Sequence, residues 1–410
     1  MSIFSELGGW TRTQRYTVFA SFLGWALDAF DFFILVFVLG NIASDFQTTV
    51  KDVAYAITLT LAMRPVGALI FGWLADRFGR RPVLMADIML YSVIELASAF
   101  APNLVVLLIL RALFGIAMGG EWGVGSSLAM EVVPVKARGL VSGFLQEGYA
   151  VGYLMAAIVY WVVFPYLGWR GMFVIGALPA FLVLYIRLYV DESEVWKQKT
   201  EHSTRLMIDS LVRNWPTVIY VVAMMACFNA FSHGTQDLYP TFLKSQHQFS
   251  PAIVSTLAIV ASIGAIFGGI LFGAFSERIG RRRAIVIAAF CSIPIALLWA
   301  YGGSILWLGI GAFLMQFMVQ GAWGIVPVHL NELSPGDVRG TFPGFTYQLG
   351  NLIVSLLAPY QAGLAADRGG DYAFALAGTA IGVAILIVIV VGLGKERKGV
   401  SFHHTEKAKV

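Results

Sequence analysis

The sequence predicts an all-α polytopic membrane protein with 12 transmembrane helices, arranged as two six-helix bundles related by pseudo-two-fold symmetry. Three observations support this fold class: an apolar composition, two sets of apolar runs and an internal repeat. The 410 residues are 58% hydrophobic and 13% charged, which is far more apolar than an average soluble domain. Since a helix needs roughly 20 apolar residues to cross a bilayer, the chain has the length for about twelve crossings joined by short loops.

The apolar runs fall into two sets of six, which we number as segments 1 to 12. The first set lies near residues 16–39, 53–75, 83–101, 104–130, 140–163 and 170–190. The second set lies near residues 216–243, 251–275, 284–301, 305–330, 341–363 and 371–393. We expect helices because a backbone in lipid must satisfy its hydrogen bonds internally and the alternating pattern of a membrane β-barrel is absent from the sequence.

A long polar stretch divides the two sets of segments. We therefore expect an N-terminal bundle over residues 1–190, a cytoplasmic linker over 191–215, a C-terminal bundle over 216–394 and a cytoplasmic tail over 395–410. Most of the 28 Lys and Arg residues flank the segments on one side. The positive-inside rule then places both termini in the cytoplasm. The expected location is the plasma membrane, or the inner membrane in a bacterium, with several crossings.

Composition also argues against several classes of function. The net charge of +4 comes from basic residues beside the segments, so topology explains it and no nucleic-acid partner is expected. Cys227 and Cys291 lie in apolar runs, which argues against a disulfide or a thiolate metal site. No nucleophile and base pair or phosphate loop stands out in the sequence, so we expect no enzyme, no cofactor and no metal. The expected partners are membrane lipid and small solutes, with a functional monomer.

An internal repeat relates the two halves with a constant shift of 201 residues. The repeated loop after the second segment of each half carries the following pairs: Gly72 and Gly273, Asp76 and Glu277, Arg77 and Arg278, Gly79 and Gly280, and Arg80 and Arg281. A second set, Glu131, Pro134, Arg138 and Gly139, recurs as Glu332, Pro335, Arg339 and Gly340. A constant register over this distance indicates two parallel halves with a site between them.

The loop sequence from Gly72 to Arg81 resembles the signature of the second cytoplasmic loop in the major facilitator superfamily. The resemblance implies the major facilitator fold and a gating role for the repeated glycines and charges, with no substrate contact. An acid at a helix end can accept hydrogen bonds from a neighbouring helix N-terminus while the arginines remain at the interface. The alternative is that Arg77, Arg80 and Arg81 only fix the topology.

Nine Asp, Glu and Arg side chains lie deep inside the predicted helices. They are Asp28 and Asp31 in segment 1, Arg64 in segment 2, Asp87 and Glu95 in segment 3, Arg111 and Glu121 in segment 4, Glu147 in segment 5, and Asp237 in segment 7. Each costs about 2.5 to 3.5 kcal/mol when it is central in the membrane, so we expect each to face a partner or a cavity.

We expect Asp31 and Arg111 to pair, because each lies about two turns from the outer end of its segment. This pair also resembles the acid and arginine of proton-coupled sugar porters, which implies that Asp31 carries the coupled proton. An approaching arginine favours ionisation of the acid and its departure favours protonation. The residues expected to couple protons are Asp28, Asp31, Arg111, Glu121, Glu147 and Asp237. A static ion pair is the alternative for Asp31 and Arg111.

Arg64, near the middle of segment 2, is the expected ligand of an anionic substrate. A guanidinium can bind a carboxylate through two parallel hydrogen bonds. The alternative is that Asp28 or Glu147 neutralises Arg64.

Segment 7 is unusually polar for a membrane helix. Asn229, Ser232, His233 and Gln236 follow the spacing of one helix face, and Asp237 lies one turn beyond His233. The repeat aligns Asn229 with Asp28, so both faces are expected to line a central cavity.

The pattern from Asn229 to Thr241 resembles the seventh-helix signature of the fungal lactate/pyruvate:proton permeases, which belong with the sialate:proton symporters. The resemblance implies that His233 and Asp237 act in substrate binding and coupling, and that Gln348 and Asn351 of segment 11 set specificity. With Arg64, Asn229 and Gln236, these residues form the expected substrate site. The alternatives are a buried His233 bonded to a neighbouring helix, and a Gln348 and Asn351 that only join helices.

The sequence therefore predicts a proton-coupled symporter of small monocarboxylates that works by alternating access. A symporter of sialate or another organic anion is the nearest alternative, and sugars remain open as substrates. A membrane sensor on the same fold is an alternative of a different class, for which we expect a signalling extension that the linker and tail do not provide.

Overall fold

The computed structural model describes residues 10–132, 141, 144–192, 212–334 and 342–398. The first half contains α1 (Arg12–Asp45), α2 (Val50–Phe78), α3 (Arg80–Ala99), α4 (Leu104–Val132), α5 (Gly148–Ile175) and α6 (Ala180–Tyr189). The second half contains α7 (Trp215–Gln236), α8 (Tyr239–Ser245), α9 (Pro251–Ile279), α10 (Arg281–Tyr301), α11 (Ile305–Trp323), α12 (Val326–Leu333), α13 (Phe342–Val354), α14 (Leu357–Ala366) and α15 (Tyr372–Leu393). The described residues contain helices and no strands, which confirms the predicted all-α class.

The helices account for the twelve predicted segments. Eleven helical stretches of the described chain are long and apolar enough to cross a membrane, and the shorter apolar helix α6 is the twelfth. Segments 7, 10 and 11 each consist of two helices in line, namely α7 with α8, α11 with α12, and α13 with α14. The described chain therefore begins and ends on one side of the membrane, which we call the terminus side, and the loops around residues 46–49 and 246–250 lie on the far side.

The boundary between segments 5 and 6 falls in the predicted gap between residues 163 and 170. Helix α5 continues to Ile175, but the chain changes direction inside it at Gly168, which has φ 62° and ψ −165°. The part after Gly168 and helix α6 together form segment 6, with a turn over residues 176–179 between them. Segment 6 therefore begins beside its predicted start, and segment 5 runs a few residues beyond its predicted end.

Local sequence explains where several helices begin and end. Thr11 and Gln14 form a capping box at the start of α1, and Thr49 and Asp52 form one at the start of α2. Such reciprocal bonds satisfy N–H groups that have no partner inside the helix. The sharp turn from α2 to α3 occurs at Gly79, with φ 105°. This positive φ favours glycine, and its repeat counterpart Gly280 has nearly the same value, φ 100°.

The two halves have matching internal packing. Helix α2 packs along α4 in the first half, as α9 packs along α11 in the second. Helix α1 packs against α5, as α7 packs against α13. The halves meet where α2 contacts α13 and α14, and where α5 contacts α9. This exchange of equivalent contacts is the predicted pseudo-two-fold arrangement, and it places α1 and α7 on either side of the centre.

The repeated loops on the terminus side are braced by acidic residues. The backbone N–H groups of Arg80 and Arg81 each donate to the Glu192 carboxylate over 3.1 Å. In the second half the N–H of Arg282 donates to Glu396 over 3.0 Å. The side chains of Asp76, Glu131 and Glu277 lie outside the described residues, as do the repeated Pro134, Arg138, Gly139, Pro335, Arg339 and Gly340. The gating roles of Gly72, Arg77, Arg278 and the other loop residues stay predictions.

Candidate functional site

Phe32 of α1 joins the two halves at the centre of the molecule. Its ring centroid lies 5.3 Å from the Arg64 guanidinium carbon and 5.5 Å from the His233 ring. Tyr149 of α5 and Tyr347 of α13 both lie within electrostatic range of Arg64. We call Phe32, Arg64, Tyr149, His233 and Tyr347 the central site. All five are at most 4% exposed, so the site is closed to both sides in this conformation.

Arg64 reaches the central site from α2 because α4 approaches its backbone closely. A Cβ atom at Gly119 of α4 would overlap the backbone oxygen of Arg64, so this crossing requires glycine. The Nη2 atom of Arg64 contacts the Met118 sulfur at 2.6 Å. Within the described part of the chain, its Nε and Nη1 atoms have no hydrogen-bond partner.

Neither predicted neutralising acid pairs with Arg64. Asp28 lies within electrostatic range of Arg64, but both its carboxylate oxygens lack hydrogen-bond partners among the described residues. Glu147 lies elsewhere, in contact with Gly269 of α9, where α5 meets the second half. Arg64 therefore remains a buried cation with free donors.

The polar face of α7 is held by side chains of its own half. Ser232 donates to Gln236 over 2.9 Å, and Gln236 donates to Gln316 of α11 over 2.9 Å. Asn229 donates to the Tyr347 backbone oxygen over 3.2 Å. These bonds fix the predicted wet face against α11 and α13. Asn229 and Gln236 therefore join α7 to neighbouring helices of the second half.

His233 pairs with Asp237 on the next turn of the same segment. Its Nδ1 atom lies 3.1 Å from both carboxylate oxygens of Asp237. The expected alternative, a bond from His233 to a neighbouring helix, is wrong for the described residues, because the ring meets Asp237 on one side and the edge of Phe32 on the other. The pair can hold or pass one proton directly beside the central site.

Segment 11 contributes a second polar group. Asn351 donates to Gln348 over 2.7 Å and interacts with the Tyr347 hydroxyl. The Asn351 Oδ1 atom has no hydrogen-bond partner within the described ranges. The Tyr347 ring packs between Trp122 and Trp323, with centroid distances of 5.1 and 5.7 Å. The three rings form an aromatic layer on the terminus side of the site.

Sequence reasoning did not single out Gln316, which lies at the centre of the α7 and α11 contact. It accepts a bond from Gln236 and donates one to Thr235 over 3.1 Å. The signal was present, because Gln316 and Gln320 occur one turn apart in an otherwise apolar segment. Phe32, Met118 and Tyr149 had no comparable signal, since aromatic residues and methionine are ordinary in membrane helices.

The predicted pair of Asp31 and Arg111 is wrong. Arg111 instead forms an ion pair with Glu95 of α3, with 2.8 Å between Nη1 and Oε2, and it donates to Ser98 over 2.5 Å. Among the described residues, neither carboxylate oxygen of Asp31 has a hydrogen-bond partner. Asp31 interacts with Glu95 and Arg111 electrostatically, so it belongs to the same cluster without bonding to the arginine.

The first half thus buries more acids than bases around α1. Asp28, Asp31, Asp87, Glu95 and Glu121 are all 0% exposed, whereas Arg64 and Arg111 are the buried cations near them in the described structure. Several ionised carboxylates so close together would repel each other without solvent, so some of these acids must carry protons in this conformation.

A group of possible metal ligands lies away from the central site. Ligand atoms of His329, Glu332 and Glu396 lie within 4.8 Å of one another on the terminus side. Glu332 already pairs with Arg281 over 3.4 Å, and Glu396 accepts the N–H of Arg282. Since both carboxylates have donors and two arginines stand beside them, we assign no metal here.

Lys244 takes part in a contact that links the halves on the far side. Lys244 of α8 donates to the Phe37 backbone oxygen over 2.8 Å and to Asn41 over 3.1 Å, both on α1. The ammonium group also lies 5.3 Å from the Tyr160 ring centroid. These bonds hold the far ends of segments 1 and 7 together.

Comparison with known proteins gives consistent results at the level of family. The family model described as Major Facilitator Superfamily matches residues 21–359 and 238–409. A Saccharomyces cerevisiae carboxylic acid transporter protein homolog is 30% identical over 380 residues, which are 85% of this chain and 61% of the yeast protein. The chain therefore spans less than two thirds of that relative. The Escherichia coli sialic acid transporter NanX is 31% identical over 359 residues, which are 85% of this chain and 88% of NanX.

Solved structures share the fold at low sequence identity. The Escherichia coli xylose transporter XylE, in a partially occluded inward-open conformation, superposes with a TM-score of 0.77 at 18% identity. The match covers 95% of this chain and 100% of that one. A likeness at this identity supports the arrangement of helices and carries no information on the substrate.

Proposed function

Because the chain belongs to the major facilitator superfamily, and is a multi-pass membrane transporter rather than an enzyme, we propose that it carries small organic monocarboxylates together with protons by alternating access. The substrates we propose are short acids of the lactate or pyruvate type. The yeast and E. coli relatives are named for carboxylic acid and sialic acid transport, which supports an acid as the substrate class.

The observation that carries this proposal is the state of Arg64. A guanidinium that is 1% exposed, with two free donor atoms among the described residues, is costly unless an anion joins it. A substrate carboxylate can supply that anion and accept two parallel N–H donors. Arg64 lies between the halves, beside Phe32, Met118 and Tyr347, where a substrate must sit to be reached from either side.

The surroundings of Arg64 favour a short acid. Phe32 lies 5.3 Å from the guanidinium carbon and packs against Phe33, which in turn packs against Tyr149 and Tyr153. All four side chains are at most 4% exposed. The Tyr347 hydroxyl, the free Asn351 oxygen and the His233 ring provide polar partners for a hydroxyl or keto group. We assign substrate contact to Arg64, His233, Gln348 and Asn351, whereas Asn229 and Gln236 support the wall behind them.

Proton coupling follows from the balance of charge. A carboxylate entering beside Arg64 brings a negative charge next to the buried acids around Asp28. A proton taken up with the substrate keeps the load neutral, which lowers the cost of moving it through the membrane interior. Asp28, Asp31, Glu121, Glu147 and Asp237 are the proposed proton carriers, and Arg111 tunes them through its ion pair with Glu95.

The remaining features of the proposal concern topology and gating. We assign residues 1–190 and 216–394 to the two moving bundles, 191–215 to the cytoplasmic linker and 395–410 to a cytoplasmic tail. We propose that both termini lie in the cytoplasm, which the basic loops support through the positive-inside rule. We also propose that the protein lies in the plasma membrane and works as a monomer. The repeated loops at Gly79 and Gly280 serve as gates on the terminus side.

A larger organic anion such as sialate is the second candidate. The similarity to NanX over 88% of its length favours it, whereas the aromatic side chains around Arg64 favour a short acid. A sensor that does not transport is a weaker candidate, since both relatives are named as transporters.

Uptake into proteoliposomes tests the proposal. Purified protein is given radiolabelled lactate, pyruvate, acetate or sialate, with and without an imposed pH gradient that is acidic outside. We expect accumulation of a short acid that depends on the gradient. The Asp31→Asn variant should lose accumulation and keep exchange of substrate across the membrane. Uptake of sialate alone would select the second candidate, and equal accumulation without a gradient would refute proton coupling.

A further inference from the structure

A small cavity lies in the first half, between the central site and the terminus side. Its volume is about 10 Å³, which is room for one water molecule. The lining residues come from α1, α4 and the start of segment 5: Ser21, Trp25, Glu121, Trp122, Gly125 and Leu145.

Three polar side chains face this cavity without a protein partner. Within the described residues, the Ser21 hydroxyl, the Trp25 indole nitrogen and both carboxylate oxygens of Glu121 have no hydrogen bond. All three side chains are at most 3% exposed. Unpaired buried polar atoms are costly, and a water that bonds to two to four such groups removes the cost. The cavity therefore has the size and the bonding groups that a water site requires.

The same side chains lie in line with the central site. Ser21, Trp25 and Asp28 occupy positions i, i+4 and i+7 of α1, so they follow one face of the helix. Asp28 interacts electrostatically with Glu121 on one side and with Arg64 on the other. A continuous row of ionisable groups thus runs from Arg64 through Asp28 and Glu121 to the cavity.

We propose that the cavity binds one water molecule held by Ser21, Trp25 and Glu121, and that the coupled proton leaves the carrier on the terminus side through Glu121 and this water. The inference rests on the proposed proton coupling and adds the route of release. Glu121 takes a proton from the Asp28 carboxyl, passes it to the water and becomes a carboxylate again. The water gives one proton to the solvent, so no charge stays in the cavity.

The titratable groups close to Glu121 come from two helices. They are Asp28 of α1, and Asp87 and Tyr91 of α3. An unpaired carboxylate is costly where solvent is excluded. Glu121 therefore releases its proton when the cavity opens to solvent, and it holds the proton while the cavity is closed.

Filling the cavity tests the proposal without removing any polar group. A Cβ atom at Gly125 would lie 3.4 Å from a Glu121 oxygen and 3.9 Å from the Ser21 Cβ, which is ordinary contact. The Gly125→Ala variant therefore fits the helix and takes the space of the water. Gly123→Ala on the same helix is the matched control, since its Cβ would meet nothing within 4 Å.

The measurement compares exchange and accumulation in proteoliposomes, with the short carboxylate that wild type accumulates fastest. We expect Gly125→Ala to keep substrate exchange and to lose at least about tenfold of the initial rate of gradient-driven accumulation. Glu121→Gln should behave in the same way, and Gly123→Ala should match wild type.

Two results overturn the proposal and differ from each other. If Gly125→Ala and Glu121→Gln both accumulate substrate as wild type does, the release route is wrong and proton coupling stands. If wild type exchanges substrate but does not respond to the pH gradient, proton coupling and the release route are both wrong.

Discussion

Arg111 forms a buried ion pair with Glu95, with 2.8 Å between the charged groups. It forms no bond with Asp31, which is the partner that the depth of Arg111 in the membrane suggested. Both partners are at most 1% exposed. The Arg111 guanidinium also lies 4.5 Å from the Phe114 ring and 5.2 Å from the Phe173 ring. Asp31 is thereby left as a buried carboxyl that no described side chain bonds, which suits a group that gains and loses a proton.

The ion pair between Arg111 and Glu95 predicts that the Glu95→Gln and Asp31→Asn variants differ in stability. Glu95→Gln leaves the Arg111 charge without its counter-ion and should lower the free energy of unfolding by about 3 kcal/mol. Asp31→Asn removes an unbonded acid and should leave stability unchanged or higher. Thermal unfolding of the purified variants measures both effects. An equal loss of stability in the two variants would mean that Asp31 supports Arg111 as well.

His233 should be needed for transport and not for folding. Its bond to Asp237 stays within segment 7, so His233→Ala removes no hydrogen bond between helices among the described residues. The ring contact with Phe32 is lost as well. We expect at least about a tenfold loss of uptake with normal protein abundance in the membrane. Cys227→Ala on the same helix, which is only partly buried, is the control. Loss of abundance in parallel with uptake would assign His233 a structural role.

Gln316 should be a structural residue. Gln316→Leu leaves the donor of Gln236 without its acceptor and Thr235 without its donor. We expect the free energy of unfolding to fall by about 1 to 3 kcal/mol. Gln248→Leu, at an exposed position on the far side, should change it by less than about 0.5 kcal/mol. Thermal unfolding with both variants checks this difference, and equal stabilities would show that the α7 and α11 contact does not depend on Gln316.

Lys244 should keep the far side closed. Its bonds to Phe37 and Asn41 join the halves, so Lys244→Met should increase the population that is open on that side. Spin labels at Gln47 and Gln248, two exposed repeat positions, report the separation in a background without Cys227 and Cys291. Distance distributions should shift to longer values in Lys244→Met. Distributions identical to those of the parent protein would show that other contacts hold this side closed.

More of the fold than of the site could be predicted from the sequence. The twelve segments follow from hydropathy, because each crossing must be apolar over its whole length. The turn at Gly79 and Gly280 follows from the repeat, since a shared glycine at a loop marks a shared positive φ. The change of direction at Gly168 lies in the gap expected between segments 5 and 6, although hydropathy does not record how consecutive helices are oriented.

Site residues could be found by type, but their partners could not. The charges of Arg64, Arg111 and Asp31 stand out in apolar segments because each is costly there. Depth alone placed Asp31 level with Arg111, whereas the rotation of α3 and α4 about their axes brings Glu95 to the arginine. Such rotations depend on packing among several helices, for which a single segment gives no signal.

Binding of a short carboxylate to Arg64 variants tests directly whether Arg64 holds the substrate. The thermal stability of purified wild type, Arg64→Gln and the control Arg170→Gln is measured with increasing lactate or pyruvate. At a ligand concentration of about 100 times Kd, wild type should gain about 2.7 kcal/mol in free energy of unfolding. Arg170→Gln should gain the same, and Arg64→Gln should gain nothing at that concentration. An equal gain in Arg64→Gln would contradict substrate binding by Arg64, because the carboxylate would then bind elsewhere.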